Sequence, residues 1–140
     1  MTDWRNGVTV VRASDIDAKV RDSPARRATV FDFVGTGGRN TWIGKVMLPA
    51  GTKTGSHHHG LHEVAFCVLK GRTEVRWGER LEFAAEAGPG DLVYFAPYVP
   101  HQESNLDSTD TLDLLVVRSD NERIAIALTT DPIDKPERVF

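Results

Sequence analysis

Four of the chain's five histidines fall in one short stretch, "GSHHHGLHE": His57, His58, His59 and His62. The fifth, His101, lies 39 residues beyond His62 in "PYVPHQESN". Successive side chains of a strand point to opposite faces, so His57 and His59 look one way and His58 the other. Two imidazoles held about 6–7 Å apart along one face can converge on a single metal ion. Neutral imidazole suits Zn, Fe, Ni or Cu, with Mn admitted when oxygen ligands join. A His-x-His pair alone is also what a polar turn would look like, and the signal strengthens only if His101 supplies a third ligand from distant sequence. A metal held by three or four imidazoles keeps one or two positions for water or substrate. It would act as a Lewis acid that polarises a carbonyl or enolises a β-dicarbonyl. With redox-active iron the same site would run oxygen chemistry.

The elements that must carry these residues read as β-strands punctuated by turns. "VTVVR" (8–12), "ATVFDFV" (28–34), "TWIGKVMLPAG" (41–51), "EVAFCVLKG", "TEVRWGERLEF", "DLVYFAP", "TLDLLVVRSD" and "ERIAIALTT" are rich in β-branched and aromatic residues and bounded by Gly, Pro, Asn or Asp. "ASDIDAKVRD" (13–22) leaves room for one short helical turn capped by Ser14 or Asp15, and the tail "DPIDKPERVF" reads as extended. About nine strands recurring without long helical periodicity predict an all-β antiparallel sandwich or barrel, folded as one domain over residues 1–140. His101 follows the proline turn after "DLVYFAP", and such a sandwich can set it beside the His57–His59 strand.

Composition narrows the function classes. A net charge of −3 gives no electrostatic reason to expect nucleic acid or an anionic membrane as a partner. No apolar run approaches the ~20 residues of a membrane helix. The first residues lack a signal-peptide pattern, and the single cysteine, Cys67, allows no internal disulfide; both point to a cytoplasmic protein. Cys67 itself reads as a small buried hydrophobe.

Among other residues, Trp42, Phe66, Tyr94 and Tyr98 are candidates to line an apolar pocket for a small-molecule ligand, and Gln102 to reach it. Glu63 is a candidate ligand or general base. Trp77, followed by "GER", is placed near a hairpin turn; Asp91 anchors the turn after Gly90; Arg26, Arg27 and Arg39 read as solvated charges.

These residues resemble the cupin superfamily. Its first motif, G(X)5HXH(X)3–4E(X)6G, is matched by Gly51, His57, His59 and Glu63, with Gly71 one residue late. Its second, G(X)5PXG(X)2H(X)3N, is matched by Gly90, Pro97, His101 and Asn105, with Pro97 one residue late. Tyr98 or Val99 stands where that motif has glycine, and the Pro-to-His spacing is one short. The resemblance covers roughly residues 40–130 and implies a jelly-roll β-barrel with one divalent metal ion in its mouth. More closely, "HHHGLHE" with "AGPGDLVYFAPYVPHQESN" is similar to small single-domain bacterial cupins, some of which act as polyketide cyclases. That group implies a zinc site of four histidines, here His57, His59, His62 and His101. Other cupins are dioxygenases, decarboxylases, isomerases or lyases, or bind ligands without catalysis.

The resemblance leaves the fourth ligand open. The strand frame puts His57, His59 and Glu63 on one face, whereas counting back from Gly71 the family pattern turns Val68, Phe66 and Val64 inward. A bend must separate the two frames, and Gly60 is the place for it. A bend at Gly60 brings His62 inward and turns Glu63 out; a bend after Glu63 brings Glu63 in. The four-histidine cyclases favour His62. A homodimer is also expected, because "VTVVR" and "ATVFDFV" would leave apolar edges exposed and cupins commonly pair through N-terminal strands.

Overall fold

The computed structural model describes residues 4–119 and 124–140. Two sheets face each other. The first is ordered β1-β2-β9-β4-β7, formed by Arg27–Phe31 (β1), Trp42–Leu48 (β2), Leu112–Arg118 (β9), Val64–Lys70 (β4) and Leu92–Phe95 (β7). The second is ordered β10-β3-β8-β5-β6-β11. It comprises Ile126–Ala127 (β10), His57–His58 (β3), His101–Asn105 (β8), Thr73–Trp77 (β5), Phe83–Ala87 (β6) and Glu137–Arg138 (β11). All pairings are antiparallel except β11 with β6. The all-β sandwich expected from strand spacing is the observed architecture.

Alternation along the strands makes the core. On β4, Val64, Phe66 and Val68 are buried; on β9, Leu112, Leu114 and Val116; with Phe95 of the neighbouring β7 they meet Val75 and Ala87 of the opposite sheet. The outward residues of β4, Ala65 and Cys67, pair with Val117 and Leu115 on the outer face. Cys67 is therefore half-buried on the outside of the sheet, not in the core as expected. Trp42 lies back along β2 across Gly44, where any side chain would collide with the indole. Trp77 closes β5 ahead of Gly78, at the hairpin turn expected for it.

Three local expectations change. "VTVVR" forms no strand: its β-branched residues need a ladder partner, and none is present among the described residues, so Val8 and Val10 stay exposed. The helical turn after it is a ten-residue helix, α1 (Ala13–Asp22), with Arg12 rather than Ser14 or Asp15 as its N-cap. Val20, one turn after Ile16, buries its apolar side, and Asp15 near the start and Lys19 and Arg21 near the end suit the helix dipole. The strand expected through residue 34 stops at Phe31 and gives way to a single helical turn, α2 (Phe33–Thr36), started by the Asp32 side chain accepting from the Gly35 amide at 2.7 Å. Of "ERIAIALTT", only Ile126–Ala127 is strand; Glu122 and Arg123, and the turn expected at Asp120 and Asn121, lie outside the described residues.

Candidate metal centre

The register of the second sheet builds the site. β3 lies between β8 and β10, and His57 pairs directly with His101. Directly opposed residues point the same way, so both imidazoles enter the space between the sheets. After His58 the chain leaves the strand. Gly60, with φ +63, makes the bend, in the left-handed region that glycine enters without steric cost. The Gly60 carbonyl accepts from the Tyr98 amide at 2.8 Å, which ties this loop to the turn before His101. Tyr98 itself sits at φ 63, so a tyrosine holds the left-handed conformation for which the second motif has glycine.

Among the described residues, His57, His59 and His101 form a group whose ligating atoms all lie within 4.8 Å of one another. The ring centroids are 4.9, 4.4 and 5.0 Å apart. Three equally spaced donors bonded to one ion at about 2.1 Å lie at most ~3.6 Å apart, so the rings must draw in by up to roughly 1 Å to complete a coordination sphere.

The tautomers suit such an ion. Nδ1 of His57 faces the Gly55 carbonyl at 2.8 Å, that of His59 the Ile124 carbonyl at 2.8 Å, and that of His101 the Val99 carbonyl at 3.0 Å. A carbonyl only accepts, so each Nδ1 carries the proton and each Nε2 keeps its lone pair. A backbone carbonyl holding the far ring nitrogen is the usual support of a metal-ligating histidine. The Arg118 Nη1 also lies 3.1 Å from the His59 Nδ1 and 3.0 Å from the Ile124 oxygen. An Nδ1 that donates to Ile124 cannot also accept from Arg118. The consistent arrangement has both groups donating to the Ile124 carbonyl. Nε2 of His101 is buried without a hydrogen-bond partner, an unmet acceptor of the kind a cation would satisfy. Burial pushes His101 down to about 4, opposed by the Val99 hydrogen bond and reinforced by the neighbouring His57 and Arg118. Burial does the same to His59, also to about 4, against the Ile124 hydrogen bond and with help from Arg118.

The other sequence candidates are placed as follows. His58 turns away: its Nδ1 accepts from the Gly60 amide at 2.9 Å and its ring lies 5.8 Å from that of Tyr98. His62 is buried, in phase with Val64, Phe66 and Val68, but is outside the three-histidine group. Glu63 is exposed and accepts from the Tyr94 hydroxyl at 2.5 Å. The frame with the bend at Gly60 is the one observed.

Trp42 and Phe66 line a cavity of about 500 Å³ together with His57, His59, Val64, Leu114 and Arg118. Tyr94 and Tyr98, expected beside them, do not line it. On β7 Phe95 points in, so Tyr94 must point out, and Tyr98 is exposed on its turn. Gln102 also faces away, because His101 and Glu103 take the inner side of β8; its amide donates to the Thr54 carbonyl at 2.8 Å. Arg26 and Arg27 are exposed, as expected, but stand at the cavity mouth; Asp91 accepts from the Gly88 amide at 2.8 Å, anchoring its turn.

Three participants, Glu103, Arg118 and Ser56, were missed by sequence reasoning. Glu103 is buried with Oε1 3.6 Å from the His101 Nε2. Its only sequence signal is its place two residues after His101. Arg118 is buried over the Trp42 ring at 5.3 Å. Ser56 has a buried hydroxyl without a hydrogen-bond partner and borders the cavity. Asn105, the last residue of the second motif, is structural: its amide donates to the carbonyls of Leu48, Pro49 and Asp110, locking three chain segments together.

Solved structures share this architecture. A cupin 2 domain-containing protein from Halorhodospira halophila is 22% identical, with a TM-score of 0.65 over 79% of this chain and 73% of its own. A mutant of Bacillus subtilis oxalate decarboxylase is 22% identical, with a TM-score of 0.64 over 73% of this chain. The cupin domain of Schizosaccharomyces pombe Cnp3 is 16% identical, with a TM-score of 0.58 over 67% of this chain. The chain spans 63% of the Cnp3 domain and 27% of the decarboxylase chain, and at these identities the likeness is one of fold. No curated protein matches the sequence. The cupin domain model matches residues 44–118, the stretch running from β2 to the end of β9, and with more than half of its length so matched the chain belongs to the cupin family.

Proposed function

We propose that this cupin is a metal-dependent enzyme that acts on a small aromatic or polycarbonyl molecule inside the barrel, with one divalent ion, zinc by preference, held by His57, His59 and His101. The observation that carries this reading is the convergence of three imidazoles, their ligating atoms within 4.8 Å of one another and each Nδ1 fixed on a main-chain carbonyl, which leaves Nε2 free to bind. Such an ion supplies Lewis-acid chemistry of the kind used in cyclisation, isomerisation or lyase reactions. The chain's own residues do the rest. Trp42 and Phe66 give the cavity its apolar wall, the Ser56 hydroxyl offers a hydrogen bond to a bound oxygen, and Arg118 places a positive charge in the same wall. A volume of about 500 Å³ is of the size that takes a ligand of one to three rings. Among the described residues no helix is long and apolar enough to cross a membrane, and we take the chain to work in the cytoplasm.

The test is metal analysis of purified protein, followed by stripping and reloading with Zn²⁺, Mn²⁺ and Fe²⁺ while aromatic polycarbonyl compounds are assayed for turnover and binding. Turnover restored by zinc supports the reading. Turnover only with iron and oxygen replaces it with a dioxygenase. Tight ligand binding with no metal-dependent turnover replaces it with a sensor or carrier.

A further inference from the structure

We infer that Glu103 supplies a carboxylate oxygen to this metal centre, in the role that the first motif gives to Glu63. The inference rests on the metal reading above and concerns which side chain completes it.

Burial alternates along β8, so His101, Glu103 and Asn105 face inward together. Oε1 of Glu103 lies 3.6 Å from the Nε2 of His101. That is too long for a hydrogen bond but suits two donors on one ion with bonds near ~2.1 Å, which subtend about 120° at the metal. Glu103, like His62, stands outside the group of three whose ligating atoms all lie within 4.8 Å of one another, so its carboxylate must close on His57 and His59 to join them. The His101 proton is committed to the Val99 carbonyl, and its Nε2 is buried without a hydrogen-bond partner. A cation between the two is what both atoms lack.

The rest of Glu103 is held so that Oε1 stays in this position. Its Oε2 accepts from the Thr54 hydroxyl at 3.0 Å. That hydroxyl in turn accepts from the Glu103 amide at 3.1 Å, and the Thr54 amide donates to the Glu103 carbonyl at 2.9 Å. Thr54 has one hydroxyl proton, and Oε2 takes it, so Oε1 is left for the site. Glu103 is also the one acidic residue among the described residues that line the 500 Å³ cavity. Glu63, by contrast, is exposed and bound to the Tyr94 hydroxyl on the outer face of the first sheet. The inward frame that turned Glu63 out thus leaves an opening for a carboxylate from the opposite sheet. A carboxylate ligand lowers the net charge of the centre from +2 to +1 and broadens its preference toward oxygen-seeking ions such as Mn²⁺ and Fe²⁺.

The experiment is a competition titration of Zn²⁺ and Mn²⁺ against a chromophoric chelator, with Co²⁺ loading followed by visible absorption. It compares the wild type with Glu103→Gln, Glu103→Asp, Glu63→Gln and His62→Ala, and thermal unfolding of each metal-free form separates loss of folding from loss of metal. Glu103→Gln keeps the Thr54 contact and is expected to fold. It should weaken zinc by ~10-fold or more, weaken manganese further, and alter the Co²⁺ spectrum. Glu103→Asp, one methylene short, should show the same signs more mildly, and Glu63→Gln should match the wild type. Unchanged affinities and spectrum in a folded Glu103→Gln protein overturn the assignment alone. So does a loss of metal confined to Glu63→Gln or to His62→Ala. A wild type that binds none of the three ions overturns the metal reading and this assignment together.

Discussion

The Tyr98 amide donates a 2.8 Å hydrogen bond to the Gly60 carbonyl, and this one bond joins the loop that delivers His59 to the turn that delivers His101. Both residues hold positive φ, 63 in each case. The site geometry therefore depends on two left-handed residues that are not ligands. Gly60→Ala has room for its methyl, whose nearest neighbour is an Ile124 carbon at 3.8 Å. Its cost is conformational, about 1–2 kcal/mol. The expected result is a lowered unfolding temperature and weaker zinc binding together, checked by thermal melts with and without the ion. If the melting temperature drops while zinc affinity holds, the loop does not set the ligand geometry.

Neighbouring histidines should separate sharply on substitution. His57→Ala, His59→Ala and His101→Ala each remove one of three converging nitrogens and are expected to purify without stoichiometric metal. His58→Ala should retain it, because the His58 Nδ1 is already occupied by the Gly60 amide and its ring faces Tyr98. Elemental analysis of the four proteins decides it; metal lost from His58→Ala would mean that the outer imidazole takes part.

How far the sequence carried this site depends on which physical signal each residue leaves. His57 and His59 are legible because an i, i+2 pair shares a face in any strand, and His101 because it sits in a spaced motif. The architecture is legible because alternation on strands such as Val64–Lys70 follows directly from one buried face. Tyr94 was misplaced although its strand was found: without knowing whether Tyr94 or Phe95 points inward, a four-residue strand has two equal phases, and Phe95, stacked on His101 at 3.8 Å, settled it. Glu103 was missed for the same reason. "HQESN" reads as polar rim until the His57–His101 pairing fixes which side of β8 is inside. "VTVVR" failed differently, since β propensity needs a partner strand that local sequence does not specify.

That unpaired segment bears on assembly. Trp4, Val8 and Val10 are 78, 78 and 64% exposed, and the outer face of the first sheet presents Leu69, Leu92 and Tyr94. A chain with this much apolar surface is expected to bury part of it against a second copy. Sedimentation should give a dimer, and removal of residues 1–11 should weaken it. A single species of 15.5 kDa at micromolar concentration would sink the prediction.

The cavity wall offers a test that leaves the ligands alone. Gly44 has no room for a side chain because the Trp42 ring lies across it. Gly44→Ala must therefore push the indole off the strand and disturb the wall that Trp42 shares with Arg118. The protein should lose roughly 1–3 kcal/mol of stability from this overpacking, keep its metal, and lose affinity for cavity ligands. Tryptophan fluorescence should shift with the displaced ring. Ligand binding equal to that of the wild type would show that Trp42 does not shape the occupied part of the cavity.

Acid should destabilise the metal-free protein before carboxylates are involved. His59 and His101 are held at about 4 by burial, against an ordinary value near 6.5 in the unfolded chain. Below pH 6.5 the unfolded state takes up these protons and the folded state does not, so stability is full above that value and falls as pH drops toward 4. At pH 5.5 the unfolded state gains about 1.4 kcal/mol for each such histidine. Asp17 and Asp107 are lowered by Lys45 and by the Thr109 and Asp110 amides, so their contributions are lost only at still lower pH. Between pH 7 and 5.5 the slope therefore reports the buried histidines. Urea midpoints of metal-free protein should decline across that interval, and the decline should steepen with zinc present, because protons then compete with the ion for the same nitrogens. A flat profile over this range in the metal-free protein would mean that the two imidazoles take up protons in the folded state without cost, contrary to the burial that places them.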